Sequence, residues 1–173
     1  YILKDFTDEF TRGLITCITG PNGSGKTTLL KLGAGLLKPS KGIIERNGSA
    51  IYIPENPLLY FTMPTPREEL LLSSKNNENK ALDIADRFNI KHVLDKPFAK
   101  LSTGERKRLA IASAYLSGRD AYFIDEPTGG LDNENSIVIL ETLQSLIEED
   151  KAVIIASHDE RVLKAADRLI NLK

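Results

Sequence analysis

Residues Leu14 to Thr19, "LITCIT", form an apolar, β-branched run; "GPNGSGKT" interrupts it, and "TLLKLGAGLL" follows. No other stretch narrows the possible folds as much. The first run suits a buried strand, and the last suits a helix that ends before Pro39. Gly20, Gly23 and Gly25 separate the two. Fixing glycine in one conformation is entropically costly, so this density implies a backbone that must come close to something. The spacing Gly20-x4-Gly25-Lys26-Thr27 suits a phosphate chain as that partner. Curled backbone N–H groups and the unpaired amides of a helix start face the same anion. Lys26 then reaches the β- and γ-phosphates, and the Thr27 hydroxyl is placed to ligate Mg²⁺. The expected ATP contacts are Gly20, Pro21, Asn22, Gly23, Ser24, Gly25, Lys26, Thr27 and Thr28.

The rest of the chain alternates around this unit. Strands are expected at 14–19, 42–46, 49–53, 121–125, 152–156 and 167–171, and helices at 25–37, 133–149 and 159–166. Such alternation gives an α/β fold: a P-loop NTPase core with a mainly parallel sheet flanked by helices. Pro54 to Lys100 departs from it, with four prolines before residue 70 and then a helical stretch broken at Asn76 to Asn79. We read about 54–117 as an inserted helical subdomain. Its last helix, from about Gly104 to Leu116, returns the chain to a core built from 1–53 and 118–173. With 173 residues, 41% of them hydrophobic, the chain can bury one sizeable core.

"AYFIDEPTGGLD", Ala121 to Asp132, is an apolar strand ending in two adjacent carboxylates. Asp125 is placed to hold Mg²⁺, and Glu126 to orient or deprotonate an attacking water. Pro127 stops strand pairing, Gly129 and Gly130 give a turn, and Asp132 is a candidate cap for the next helix. "AVIIASHDE" repeats the design with Ser157, His158 and Asp159 at its carboxyl end. Ligands of parallel sheets collect at that edge, so His158 is aimed at the γ-phosphate region. "KLSTGERKRLAIASAYL", Lys100 to Leu116, reads as a polar turn and an amphipathic helix. Leu109, Ile111, Ala112, Tyr115 and Leu116 would be its buried side, with Arg106, Lys107 and Arg108 solvated. Ser102 is its expected N-cap and Glu105 the capping-box partner. His92 has no comparable context.

Composition excludes little but points consistently. The net charge of −1 is spread rather than blocked, so no nucleic-acid-binding face is expected. No apolar run approaches a membrane span and no signal peptide opens the chain. The lone Cys17 fits a reduced, cytoplasmic compartment and a role as a small buried hydrophobe.

Taken in order, these residues resemble the ATP-binding-cassette ATPase family over nearly the whole chain. The motifs are the phosphate loop at Gly20–Thr28, a glutamine-loop position in "YIPENPLLY", the signature "LSTGE", Walker B "YFIDE", the D-loop "GGLD" and the switch histidine His158. The resemblance implies two cassettes packed head to tail, each ATP held between one subunit's phosphate loop and the other's signature turn. Ser102 and Gly104 would then touch the partner's ATP, Glu126 would be the catalytic base and His158 the γ-phosphate sensor. Asp132 would join the contact between the two sites. Mg²⁺ would rest on Thr27, Asp125 and the glutamine-loop residue.

This chain departs from the family pattern in three places. Thr103 and Glu105 replace a glycine and the glutamine of the usual signature, and Glu55 stands at the glutamine-loop position. The aromatic that the family stacks on adenine has Tyr1 as its only nearby candidate, and the residue itself is expected upstream. The chain is also short for the family, so the helical lobe or an antiparallel flanking sheet should be trimmed. The implied function is the cytoplasmic ATPase subunit of a transporter, docked peripherally on transmembrane subunits near the Glu55 loop. A cassette serving translation, DNA repair or iron–sulfur assembly is the alternative. A small-metabolite kinase would explain the phosphate loop but not "LSTGE", "DEPTGGLD" or the histidine.

Overall fold

The computed structural model describes residues 3–173; the Tyr1 stacking candidate lies outside the described residues. Five strands form one sheet: β1 (Ile15–Thr19), β2 (Ala50–Ile53), β3 (Ala121–Asp125), β4 (Ala152–Ala156) and β5 (Arg168–Asn171). Their order is β2-β3-β4-β1-β5 and every pairing is parallel. Parallel strands need covered faces, which is why β1, β3 and β4 read as unbroken apolar runs.

Helix α1 (Lys26–Gly33) follows β1, and α2 (Pro66–Ser73), α3 (Glu78–Arg87) and α4 (Thr103–Leu116) lie between β2 and β3. Helices α5 (Asn133–Glu148) and α6 (Glu160–Ala165) follow β3 and β4. Side chains alternate across β3 as strand geometry requires. Phe123 packs with Leu29 and Leu30 of α1, whereas Tyr122 and Ile124 join Ile139, Leu143 and Leu146 of α5 on the other face. Gly33 lets α1 approach, since a Cβ there would lie 2.2 Å from Phe123 Cε1. From Tyr122 and Ile124 the buried cluster continues through Leu109 and Ile111 of α4 to Leu70, Ala81 and Phe88.

The expected polar break falls between two helices. Lys75 and Asn76 take positive φ of 56° and 62° after α2, and Asn77 caps α3 by accepting from Lys80 N at 3.1 Å. Three expectations are corrected. The run 42–46 forms no strand: Ile43 is 88% exposed, and Arg46 donates to Leu32 O at 2.5 Å and Gly33 O at 2.9 Å. A strand without a partner leaves its backbone groups unpaired, whereas this Arg satisfies the open C-terminal carbonyls of α1. Helix α1 stops at Gly33, not 37, because Gly35 turns at φ 82° and the Leu36 amide folds back onto Lys31 O. Finally, α4 is not amphipathic. Every residue from Lys107 to Ala114 is buried, because α2, α3, α5 and β2 surround it; Tyr115 and Leu116 are only half-buried.

Candidate active site

Parallel pairing brings the carboxyl ends of β1, β3 and β4 level. Asp125 pairs with Ala156, which pairs with Ile18, one residue before the end of β1. The loop leaving β1 takes φ of 142°, 84° and 100° at Gly20, Gly23 and Gly25, conformations that side chains resist. At Gly20 a Cβ would also lie 2.4 Å from Leu172 O. Gly25 begins α1 with no side-chain cap, so the helix presents its first amides outward. Lys26 Nζ donates to Gly20 O at 2.7 Å and Pro21 O at 3.1 Å, arching over the loop. Ser24 Oγ is buried with no hydrogen-bond partner. An uncapped helix start, an arched ammonium and an orphaned hydroxyl are a donor set that fits a phosphate chain.

Thr27 Oγ1 donates to Asp125 Oδ2 at 2.6 Å, joining the helix start to the end of β3. Tyr52 Oη donates to the same oxygen at 3.2 Å, and burial together with the Asp125 charge holds that phenol well above its usual range. Next to Asp125, Glu126 adopts a positive φ of 45°. Its Oε2 accepts from Ser157 Oγ at 3.1 Å, and its Oε1 lies 3.8 Å from Nε2 of the half-exposed His158. The residues expected at the two strand ends therefore converge.

The "LSTGE" turn lies at the start of α4. Ser102 Oγ accepts from Glu105 N at 3.2 Å while Ser102 N donates to Glu105 Oε2 at 2.7 Å, a complete capping box. Gly104 packs toward Leu131 and Asn135, beside the "GGLD" turn, where Asp132 caps α5 by accepting from Asn135 N at 2.8 Å. Glu55 is exposed, between β2 and a short 3₁₀ turn at Pro57–Leu59.

A family model described as ABC transporter matches residues 3–129. The chain belongs to the ABC transporter family. Its fold is similar to the ATP-binding subunit of an ABC transporter, at 27% identity and a TM-score of 0.87 over 99% of this chain and 79% of that one. It is similar also to the dimeric bacterial ABC transporter cassette MJ0796, at 25% identity and a TM-score of 0.84 over 100% of this chain and 87% of that one. An RNase-L inhibitor matches at 30% identity and a TM-score of 0.80 over 94% of this chain, which spans 32% of that longer protein.

Around the site lie contacts that the sequence does not reveal. Lys107, expected in solvent, is 7% exposed, and its Nζ donates to Glu126 O and Gly129 O, each at 2.7 Å. Arg108 is buried as well, with Nη1 bonded to Asn135 Oδ1, and Arg106 donates to Phe98 O and Ala99 O. His92, given no role, pairs with Glu105 at 2.9 Å. Burial opposes ionisation of the Glu105 carboxyl, but the Ser102 amide and His92 outweigh it and hold the group below its usual range. Asp159 braces the turn after Glu126 by accepting from Thr128 Oγ1 at 2.6 Å, and the Arg161 guanidinium keeps its carboxyl well below the usual range. Cys17 is fully buried and its thiol is pushed up to about 11 by that burial, as an inert core residue would be. Among the described residues no helix is long and apolar enough to cross a membrane.

Proposed function

We propose that this cassette binds and hydrolyses Mg-ATP as one half of a head-to-tail pair, and that the cycle drives transport through separate transmembrane subunits. One observation carries the chemistry: the Thr27–Asp125 hydrogen bond joins the uncapped start of α1 to a strand end bearing Glu126. In this account the amides of Gly20 to Thr28, apart from Pro21, which has none, and the Lys26 ammonium hold the phosphates. Thr27 and Asp125 would hold Mg²⁺, with Glu55 the third candidate. Among the described residues no three His, Cys, Asp or Glu side chains gather as a metal cage. That suits Mg²⁺, which usually takes one or two protein oxygens and completes its shell with substrate phosphates and water. When bound there, the ion would supply charge neutralisation to the transferring phosphoryl group.

Glu126, oriented by Ser157, takes the proton of the attacking water, and His158 contacts the γ-phosphate. Ser102 and Gly104 face the ATP of a second cassette, and Asp132 links the two sites. The helices of 54–117 and the Glu55 loop form the lobe on which membrane subunits dock, at the cytoplasmic face. The likeness to an RNase-L inhibitor supports a second reading, a cassette that transports nothing. Purified protein given Mg-ATP should release phosphate without phosphorylating an added acceptor. Transfer to the acceptor would favour a kinase. Co-purification with transmembrane proteins from membranes supports the transport assignment, and recovery with soluble partners alone contradicts it.

A further inference from the structure

Glu126 holds a backbone conformation that side chains seldom adopt, with φ at 45°. Such a conformation persists only where its surroundings fix it. The Glu126 amide donates to Ala156 O at 2.9 Å, which anchors one side of the residue to β4. On the other side its carbonyl accepts from Gly129 N at 3.3 Å and from Lys107 Nζ at 2.7 Å. The same ammonium takes Gly129 O at 2.7 Å. One buried cation therefore ties the residue after Asp125 to the first glycine of "GGLD".

We propose that Lys107 is a positioning residue for Glu126, holding the Glu126 carbonyl so that its carboxylate stays at Ser157 and His158. The proposal rests on the assignment of Glu126 as the base. Lys107 is 7% exposed, and charge-assisted bonds to two carbonyls are what make so buried an ammonium tolerable. Burial still draws its pKa below the usual lysine value, against the opposing pull of Glu55, Glu126 and Asp125. Gly129 leaves room for the ammonium, since a Cβ there would lie 3.3 Å from Nζ. Lys107 touches neither the phosphate loop nor the signature hydroxyl, so its effect should fall on turnover and not on ATP affinity.

The test compares wild type, Lys107→Met, Lys107→Gln and Gly129→Ala for kcat, KM, calorimetric ATP affinity and thermal unfolding. Lys107→Met keeps the length and removes the donors, and should lower kcat by about 10- to 100-fold, the weight of a displaced catalytic group. ATP affinity should stay within about twofold in the same variant, because its own phosphate loop is intact. Lys107→Gln, which restores a donor, should recover part of the rate. Gly129→Ala should lower kcat in the same sense, and serves if Lys107→Met fails to fold. Adding Lys107→Met to Glu126→Gln should cost nothing further, because the two act as a unit. A kcat within twofold of wild type in Lys107→Met, or a full additional loss in the double variant, overturns the proposal. If Glu126→Gln alone hydrolyses ATP normally, the base assignment itself fails and this inference with it.

Discussion

Helices α1 and α4 both begin at polar turns, yet their N-termini are finished in opposite ways. Helix α1 starts from Gly25 at φ 100° with no side chain over its first amides. Helix α4 starts from Ser102, and its capping box satisfies the turn with the chain's own oxygens. An anion at α1 meets donors with no side-chain competitor, whereas an anion at α4 must share with Ser102 and Glu105. The difference suggests that phosphate binding at α1 belongs to a single chain. On the proposed reading, binding at α4 would need an anion already held by another surface, which is what a partner's ATP would be.

The largest effect expected along this divide lies at the strand end that α1 faces. Glu126→Gln should slow hydrolysis by about 10²- to 10⁴-fold while calorimetric ATP affinity survives, since the amide keeps the shape but takes no proton. Normal turnover would place the base elsewhere, with Glu55 the first residue to examine. Next comes Lys26→Ala, which should weaken ATP binding by about a hundredfold, the worth of about 3 kcal/mol of charge-assisted bonding. The fold should be unchanged by circular dichroism. Ser102→Ala should leave the affinity of the single chain untouched. If Lys26→Ala binds normally, or Ser102→Ala binds as weakly as Lys26→Ala should, the two termini are not different in kind.

The contrast also explains what the sequence could reveal. Gly20, Gly23 and Gly25 are legible because positive φ selects glycine locally, and Ser102 because a cap acts on its own helix. Thr27 and Asp125, 98 residues apart, were linked only through the motif that each belongs to. Lys107 was illegible: within "ERKRL" it resembles any solvated lysine, and its burial is imposed by α2, α3 and α5 from elsewhere in the chain. The run 42–46 failed for the same reason, since a strand needs a partner that local sequence does not supply. His92 found Glu105 only once α4 was in place.

The smallest effect tests the cap on α4. Because the Glu105 carboxyl is held below its usual range, the unfolded chain takes up its proton more readily than the folded one. Its contribution is therefore full above about pH 4.3 and fades as pH falls through the lower folded value. Glu105→Gln keeps an acceptor for the Ser102 amide, so at pH 7 it should cost roughly 1 kcal/mol or less. That gap in thermal unfolding should close as the pH falls below about 4. A gap that is unchanged at acid pH would show that the carboxylate charge contributes nothing to the cap.

The central claim is that α4 of one chain completes the site at α1 of another. Analytical ultracentrifugation of Glu126→Gln with and without Mg-ATP tests it most directly, with Ser102→Arg added to the same background as the comparison. The single variant should pass from monomer to dimer when ATP is added, because the unhydrolysed nucleotide is trapped between the two faces. The double variant should bind ATP yet stay monomeric, since a bulky cation would fill the seam. A double variant that dimerises as well as the single one, or a single variant that stays monomeric at high concentration with ATP bound, would contradict the account.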